Sequence, residues 1–202
     1  MSVAPRRLPD LSLTEWAVLA LAAEGPTYGF AIAKELAADG DLGRIWIVPR
    51  PLVYRALVSL QQKGLVEALG EESGNRGPSR TRMRATRAGK SAVTGWLATP
   101  TPHVRDLRTR LLLQFRLLDR KRGDLLPLAT DQLERLAPII KSLESQTRST
   151  SGFDNLLATW RYESAQAAAR TLKTLLVRGT SPTRAPQHLI ENDSTEKPRS
   201  AH

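Results

Sequence analysis

The sequence predicts a mostly α-helical chain with one small β-hairpin in its first hundred residues. Two observations lead to this fold class. Apolar residues recur at intervals of three and four over most of the chain, as they do on the buried side of amphipathic helices. Only the stretches 65–69 and 80–85 favour paired strands, and a polar loop containing glycine and proline joins them. The chain is therefore expected to be built from helices, with a single hairpin between them.

The first helix is marked at both ends. Ser12 and Glu15 have the spacing of a capping box, in which each side chain binds the backbone N–H of the other residue. Gly25-Pro26 is a strong helix breaker. We therefore expect a helix from Ser12 to about Ala23.

The next elements lead to the helix of greatest interest. Thr27 is expected to cap a second helix that ends near Ala38, and the β-rich run Arg44–Val48 favours a short strand after a loop. A third helix is predicted from Pro51 to Lys63, because proline suits a first helical turn and apolar residues follow at helical spacing. Gly64 fits a left-handed cap that ends it.

A hairpin and a fourth helix complete the N-terminal part. Strands 65–69 and 80–85 form the hairpin, and Thr86 is expected to cap a helix that ends before Pro100. The period of two places Thr81, Met83 and Ala85 on one face of the second strand and three arginines on the other. The order helix, helix, short strand, helix, hairpin, helix is that of a winged helix-turn-helix domain, which we assign to residues 1–98.

The remaining sequence is predicted to be helical. Near-heptad spacing relates Leu107, Leu111, Phe115 and Leu118, and the pattern returns in Ala129, Leu133, Leu136, Ile140 and Leu143, where Pro138 is expected to kink or split the helix. After a break at 148–152, apolar residues between 156 and 176 predict a last long helix. Residues 103–178 are thus expected to form an all-α domain, and the polar, aperiodic segment 179–202 a disordered tail.

The charge of the chain points to a polyanionic partner. The net charge is +10, and the stretch 44–90 holds ten basic residues against three acidic ones, so seven of these charges lie there. Such a concentrated positive field attracts nucleic acid first and an anionic membrane surface second. The longest apolar run is too short to cross a bilayer, and no signal-peptide core follows the N-terminus, so we expect a cytoplasmic protein.

Catalytic and metal-dependent functions find no support in the residue pattern. Cysteine is absent, the chain has three histidines (His103, His188 and His202), and no histidine pair has metal-ligand spacing. A glycine-rich phosphate loop is also missing from the sequence. We therefore predict a protein that is not an enzyme and that needs no cofactor or metal.

The helix 51–63 is the predicted recognition helix for the major groove of double-stranded DNA, and the hairpin is the predicted wing. The predicted DNA-binding residues are Arg50, Leu52, Tyr54, Arg55, Lys63, Arg76, Arg80 and Arg82. Arg55 can reach a guanine edge or a phosphate, and Tyr54 is either a phosphate donor, which we favour, or a half-buried core residue. The tip 75–80 suits a backbone or minor-groove contact, although isolated charged hairpins are often only solvated.

Tryptophans are usually core or interface residues, and this is the first interpretation of all four in the chain. A weaker hypothesis is that Trp96 and Trp160 line a cavity for a planar aromatic ligand between two subunits. The apolar stripes at 107–118 and 156–176 predict a homodimer formed through the C-terminal helices, because alone they would leave large exposed patches.

Several segments of the sequence resemble the PadR family of winged helix-turn-helix regulators. The similarity lies in the stretch from Leu19 to Ile32, in Pro51-Leu-Val-Tyr-Arg-Ala-Leu57, in Lys63-Gly-Leu-Val66 and in Arg84-Ala-Thr-Arg-Ala-Gly89. The resemblance implies a homodimer whose C-terminal helices pack against the partner, and either autoregulation or repression that a small molecule relieves. Two alternatives stay open: a MarR-like regulator, with which some of these signals are shared, and a winged-helix protein adaptor that does not read DNA.

Overall fold

The computed structural model describes residues 8–72 and 80–179. In chain order they form α1 Leu13–Glu24, β1 Thr27–Tyr28, α2 Gly29–Glu35, α3 Arg50–Gln62, β2 Val66–Glu72, β3 Arg80–Ala85, α4 Arg87–Leu97, α5 Leu112–Arg120, α6 Leu126–Ser149 and α7 Gly152–Arg178. A 3₁₀ turn at Val104–Asp106 and a π turn at Leu107–Leu111 lead into α5. The predicted fold class, mostly helical with a small sheet, is confirmed. Of the helices in these two ranges, none has the length and hydropathy needed to cross a membrane.

Helix α1 lies at the centre of the N-terminal domain. The capping box is present, since Ser12 Oγ accepts from the backbone N–H of Glu15 at 3.2 Å and the Glu15 carboxylate accepts from that of Ser12 at 2.8 Å. Every residue from Trp16 to Ala22 is buried. A helix that is apolar on all sides must be surrounded by other elements, and α3, α4 and β3 all pack on it.

The second helix is shorter than the sequence predicts. Thr27 does not cap it but pairs with Met83 of β3 in strand β1, and α2 runs only from Gly29 to Glu35. Beyond α2, the chain turns so tightly that a Cβ at Gly40 would lie 2.1 Å from a backbone oxygen of α2. The first difference depends on a backbone partner distant in sequence, and the second on backbone bonds within the turn that follows α2. The prediction of a helix from Thr27 to Ala38 is wrong at both ends.

The short strand predicted at Arg44–Val48 is also wrong. Residues 41–45 form turns, and the amides of Ile45 and Trp46 donate to the carbonyl of Leu42. The amide of Val48 donates to the carbonyl of Leu36, at 2.9 Å. The β-branched and aromatic residues of this run therefore have turn and loop partners instead of a neighbouring strand.

The other predicted elements of this domain are present. Gly64 ends α3 with a φ of 66°, the left-handed conformation expected of it, and β2 and β3 form the predicted hairpin with a bulge between Ala68 and Gly70. The sheet has the order β1-β3-β2. Thr86 caps α4, its Oγ1 accepting from the backbone N–H of Gly89 at 3.1 Å.

Helix α5 belongs to two cores. Its buried Leu113 and Leu117 join the N-terminal core, where Trp16 stacks on Trp96 with ring centroids 5.2 Å apart. The preceding π turn contributes Leu111 to a second core with α6 and α7. The boundary that we predict between 98 and 103 therefore lies before a helix that packs on both domains.

The two long C-terminal helices pack along each other. Helix α6 is not split at Pro138, contrary to one of the two outcomes expected. Pro138 lies on the exposed side of the helix, where the carbonyl that loses its N–H partner can bind water. The break around 148–152 is confirmed, since α6 ends at Ser149 and α7 begins at Gly152. Residues 180–202 of the predicted tail lie outside the described part of the chain.

A buried polar network holds the segment between α4 and the C-terminal helices. Gln132 of α6 accepts from the amide of Thr101 at 2.7 Å and donates to its carbonyl at 3.1 Å. Gln114 of α5 donates to the carbonyls of Trp96 and Thr99, at 2.6 and 2.9 Å. Both glutamine side chains are fully buried, so this linker has a fixed path.

Candidate nucleic-acid interface

Helix α3 presents one buried and one exposed side. Val53, Ala56, Leu57 and Leu60 are buried against the core. An α-helix turns about 100° per residue, so the side that faces directly away from the core carries Arg55, Val58 and Gln62, which are all exposed. The predicted residues Arg50 and Leu52 are exposed as well. None of the thirteen residues of α3 is acidic, which leaves this helix without a charge that would repel phosphate.

Arg50 and Tyr54 form a pair at the start of α3. The Tyr54 hydroxyl accepts from Arg50 Nη2 at 3.4 Å, and the guanidinium lies 5.6 Å from the centre of the phenol ring. The ring also packs on α2, because a Cβ at Gly29 would come within 2.9 Å of it. Tyr54 is thus 41% exposed: its ring supports the contact between α2 and α3, and its hydroxyl stays at the surface.

Lys63 is tied to α1. Its ammonium group forms an ion pair with the Glu15 carboxylate, which also accepts from Ser59 Oγ at 2.8 Å. Burial by itself raises the pKa of Glu15, but the hydrogen bonds from Lys63, Ser12 and Ser59 outweigh it and lower the pKa to about 2. The geometry therefore gives Lys63 a role in holding α3 against α1.

The wing arginines differ in their surroundings. Arg82 and Arg84 are exposed on one face of β3, and Met83 and Ala85 are buried on the other, as the alternation predicts. Thr81 is exposed as well. Arg84, which was not among the predicted site residues, donates to Glu67 of β2 at 2.7 Å.

Of the other two predicted wing arginines, the structure describes the backbone of Arg80 and does not describe Arg76. Arg80 begins β3, where it pairs in register with Glu72. Arg76 and the rest of the loop tip lie outside the described residues. Arg82 is therefore the one predicted wing arginine whose exposure the structure describes.

Sequence reasoning missed Val58 and Gln62. The predicted residues lie in the first half of α3 and just after its end, but the sequence also indicates which residues face outward between them. Once Val53, Ala56, Leu57 and Leu60 are taken as the buried stripe, the opposite side of the helix follows from its geometry. What the sequence could not give is the degree of exposure, which reaches 54% for Val58.

A cavity of about 1000 Å³ lies between the 104–111 segment, α5, α6 and α7. Apolar side chains such as Phe115 and Leu143 line it, together with Arg105, Arg108 and Arg161, and none of the described lining residues is a carboxylate. Trp160 lines this cavity and is 72% exposed, whereas Trp96 is fully buried in the N-terminal core and is not part of the lining. Within one subunit, the structure does not bring the two predicted ligand-binding tryptophans together.

The N-terminal fold defines a class of protein. Three packed helices, a turn between α2 and α3, an exposed and acid-free α3 and an antiparallel sheet that extends into a hairpin are the parts of a winged helix-turn-helix domain. Residues 18–94 match the model of the transcriptional regulator PadR-like family. This match lies within the N-terminal domain and agrees with the resemblance seen in the sequence.

Solved structures of PadR proteins are similar to this chain at low sequence identity. Bacillus subtilis PadR in complex with operator DNA is 19% identical, with a TM-score of 0.43 over 83% of this chain and 99% of that one. The same protein in complex with p-coumaric acid is 16% identical, with a TM-score of 0.38 over 84% and 98%. The PadR-like regulator BC1756 from Bacillus cereus is 17% identical, with a TM-score of 0.36 over 82% and 96%. No curated protein matches the chain in sequence.

Proposed function

We propose that this chain is a transcriptional repressor that binds a pseudo-palindromic operator as a homodimer. The observation that carries the proposal is the exposed side of α3, which has Arg50 and Arg55 near its start and no acidic residue along its length. A helix N-terminus carries partial positive charge, which adds to these arginines in attracting phosphate. The major groove admits one α-helix, and residues in the first turns of that helix reach the base edges.

Binding to DNA is tested first with the region upstream of the chain's own gene. Arg55→Ala should weaken the complex in gel-shift titrations. Loss of a contact to a guanine edge costs about 1–3 kcal/mol at one base position, whereas loss of a phosphate contact lowers affinity for all sequences and reduces the salt slope by about one. The matched control is Arg148→Ala, which removes an exposed arginine from the end of α6. Equal affinity of wild type and Arg55→Ala would contradict the assignment of α3 as the recognition helix.

The salt dependence of DNA affinity distinguishes the proposed function from the alternative, a protein adaptor built on the same fold. A DNA-binding protein that neutralises several phosphates loses affinity steeply with salt, with a slope of about −0.9 for each phosphate. A chain that fails to retain random duplex DNA even at low salt would favour the adaptor. The clustering of positive charge between residues 44 and 90 supports the DNA-binding alternative.

The dimer is supported by an exposed apolar stripe on α7. Phe153, Leu156 and Trp160 follow one another at spacings of three and four residues and are 73%, 61% and 72% exposed. Apolar side chains of this size in one row are typical of an interface. Trp160→Asp should convert the dimer to a monomer in light scattering and abolish tight operator binding, since two half-sites about one helical turn apart need two linked α3 helices. Val177→Asp, at an exposed position further along α7, is the control.

A small aromatic acid is the effector that the cavity favours. Its apolar walls suit a planar ring, and Arg105, Arg108 and Arg161 supply positive charge for a carboxylate. Binding of p-coumaric acid, followed by quenching of tryptophan fluorescence, should be lost in Arg161→Ala and Leu143→Trp. If neither variant changes the affinity for the acid, this cavity is not the effector site.

A further inference from the structure

The side of α3 that faces directly away from the core is apolar at its centre. Val58 lies one helical turn after Arg55, and 54% of its surface is exposed. The neighbouring apolar residues Leu52 and Tyr54 are less exposed, at 38% and 41%, and lie to either side of this line. Val58 therefore has the largest exposed fraction among the large hydrophobic side chains of α3.

Helix stability does not account for a valine at this position. Valine is β-branched and favours a helix less than alanine does. Its side chain belongs to neither hydrophobic core. An exposed valine outside both cores thus contributes little to the folded chain alone, which suggests a contact that forms only on binding.

The chemistry of the major groove restricts what this contact can be. Valine has no hydrogen-bond donor or acceptor in its side chain, so it cannot read the amide, carbonyl or ring-nitrogen groups of the bases. The 5-methyl group of thymine is the one apolar feature that base pairs present in the major groove. We propose that Val58 reads a thymine in the operator by packing on this methyl group.

The proposal rests on the proposed function, because it requires α3 to lie in the major groove. Along the helix axis, Val58 is about 4.5 Å from Arg55, close to the spacing of one base-pair step. The thymine should accordingly occupy a base pair next to the one that faces Arg55. A thymine in each half-site would give the operator a matched pair of such positions.

The experiment removes the methyl group from the DNA and the side chain from the protein separately. A random duplex library selected with the full chain gives the bound sequence, and each thymine of that sequence is then replaced by deoxyuridine. We expect replacement at one position in each half-site to weaken wild-type binding about fourfold, the value for burial of one methyl group at about 0.8 kcal/mol. Val58→Ala should bind the two DNAs equally at that position. Val177→Ala, a second exposed helical valine, should keep the wild-type ratio.

The outcomes distinguish this inference from the proposed function. A selected motif whose affinity is insensitive to deoxyuridine at every thymine overturns the role of Val58 while leaving DNA binding in place. A deoxyuridine effect that persists in Val58→Ala assigns the methyl contact to another residue and also overturns it. A chain that selects no sequence contradicts both. The scan on wild type needs no variant, and circular dichroism of Val58→Ala checks that α3 is still formed.

Discussion

The guanidinium of Arg120 on α5 donates to both carboxylate oxygens of Glu24, at 2.8 and 2.7 Å. It also donates to Glu35 and to Asp41, each at 2.9 Å. Arg116, one helical turn earlier, donates to both oxygens of Asp41, at 3.0 and 2.9 Å. These bonds connect α5 with the ends of α1 and α2 and with the turn that leads towards α3. Helix α5 is thus attached to the helix-turn-helix by charge as well as by Leu113 and Leu117.

Removal of Arg120 should therefore destabilise the N-terminal domain. Arg120→Ala leaves Glu24, Glu35 and Asp41 with less compensating charge, and we expect a loss of about 2 kcal/mol. This lies between the median of about 0–1 kcal/mol for exposed ion pairs and the 3–5 kcal/mol for breaking a buried one, since the Arg120 side chain is 22% exposed. Denaturant unfolding at fixed protein concentration measures it. Arg148→Ala, which breaks an exposed pair within α6, should cost less than about 0.5 kcal/mol. Equal losses of stability in the two variants would show that the ion pairs of Arg120 add no more stability than the exposed pair of Arg148.

Acid should weaken the fold through Glu15. In the folded chain the pKa of Glu15 is lowered from its usual 4.5 to about 2, so the folded state keeps this carboxylate charged where the unfolded state takes up a proton. The resulting stabilisation is complete above about pH 4.5 and is lost as the pH falls towards 2. Burial by itself raises the pKa of Asp41, but hydrogen bonds and charge from Arg116 and Arg120 outweigh it and lower that pKa as well. Asp41 therefore also contributes stability that is lost as the pH falls. Denaturant midpoints of wild type and Glu15→Gln, measured from pH 7 down to pH 2.5, should converge as the pH falls. If the midpoints of the two proteins instead changed in parallel with pH, the loss of stability in acid could not be assigned to Glu15.

The sequence predicts those elements whose signals are local. Ser12, Gly64 and Thr86 mark helix ends through their own chemistry, and all three behave as expected. Strand β1, which it misses, depends on a distant partner. Strand β1 exists because Thr27 meets Met83, 56 positions along the chain, and no property of Thr27 alone distinguishes a strand residue from a helix cap.

The candidate site follows the same rule. The exposed arginines of α3 can be found from periodicity, since the buried stripe defines the opposite side. The pairing of Lys63 with Glu15 joins residues 48 positions apart, and the position of Trp96 in the core depends on its stacking on Trp16. Both are consequences of tertiary packing, which a single sequence does not reveal.

Gln132 should be required for the path of the linker. Replacing it by alanine leaves the buried amide and carbonyl of Thr101 without the partners seen at 2.7 and 3.1 Å. An unsatisfied buried polar group costs about 1–3 kcal/mol, so Gln132→Ala should lower the free energy of unfolding by at least this amount. Gln146→Ala, at an exposed position on the same helix, is the control and should change it little. A Gln132→Ala variant as stable as this control would mean that water or a shifted side chain replaces the lost bonds.

Gly89 allows α4 to approach the start of the wing. A Cβ at this position would lie 2.2 Å from the backbone oxygen of Leu65 and 3.1 Å from the Leu19 side chain. Because the nearer atom belongs to the backbone, the clash cannot be relieved by a rotamer change, and α4 or β2 must move. We expect Gly89→Ala to destabilise the domain by about 1–3 kcal/mol, in the range of overpacked cores, even though alanine favours a helix more than glycine does.

Gly25→Ala is the matched control, since its Cβ would meet no atom within 4 Å and its backbone is extended. Thermal unfolding of the two variants separates the packing effect from the general effect of a glycine-to-alanine change. If Gly89→Ala were as stable as Gly25→Ala, the contact between α4 and Leu65 would have to be looser than the structure shows. A shift of β2 large enough to admit the methyl group would also move the wing, so Gly89→Ala should weaken operator binding more than its loss of stability explains.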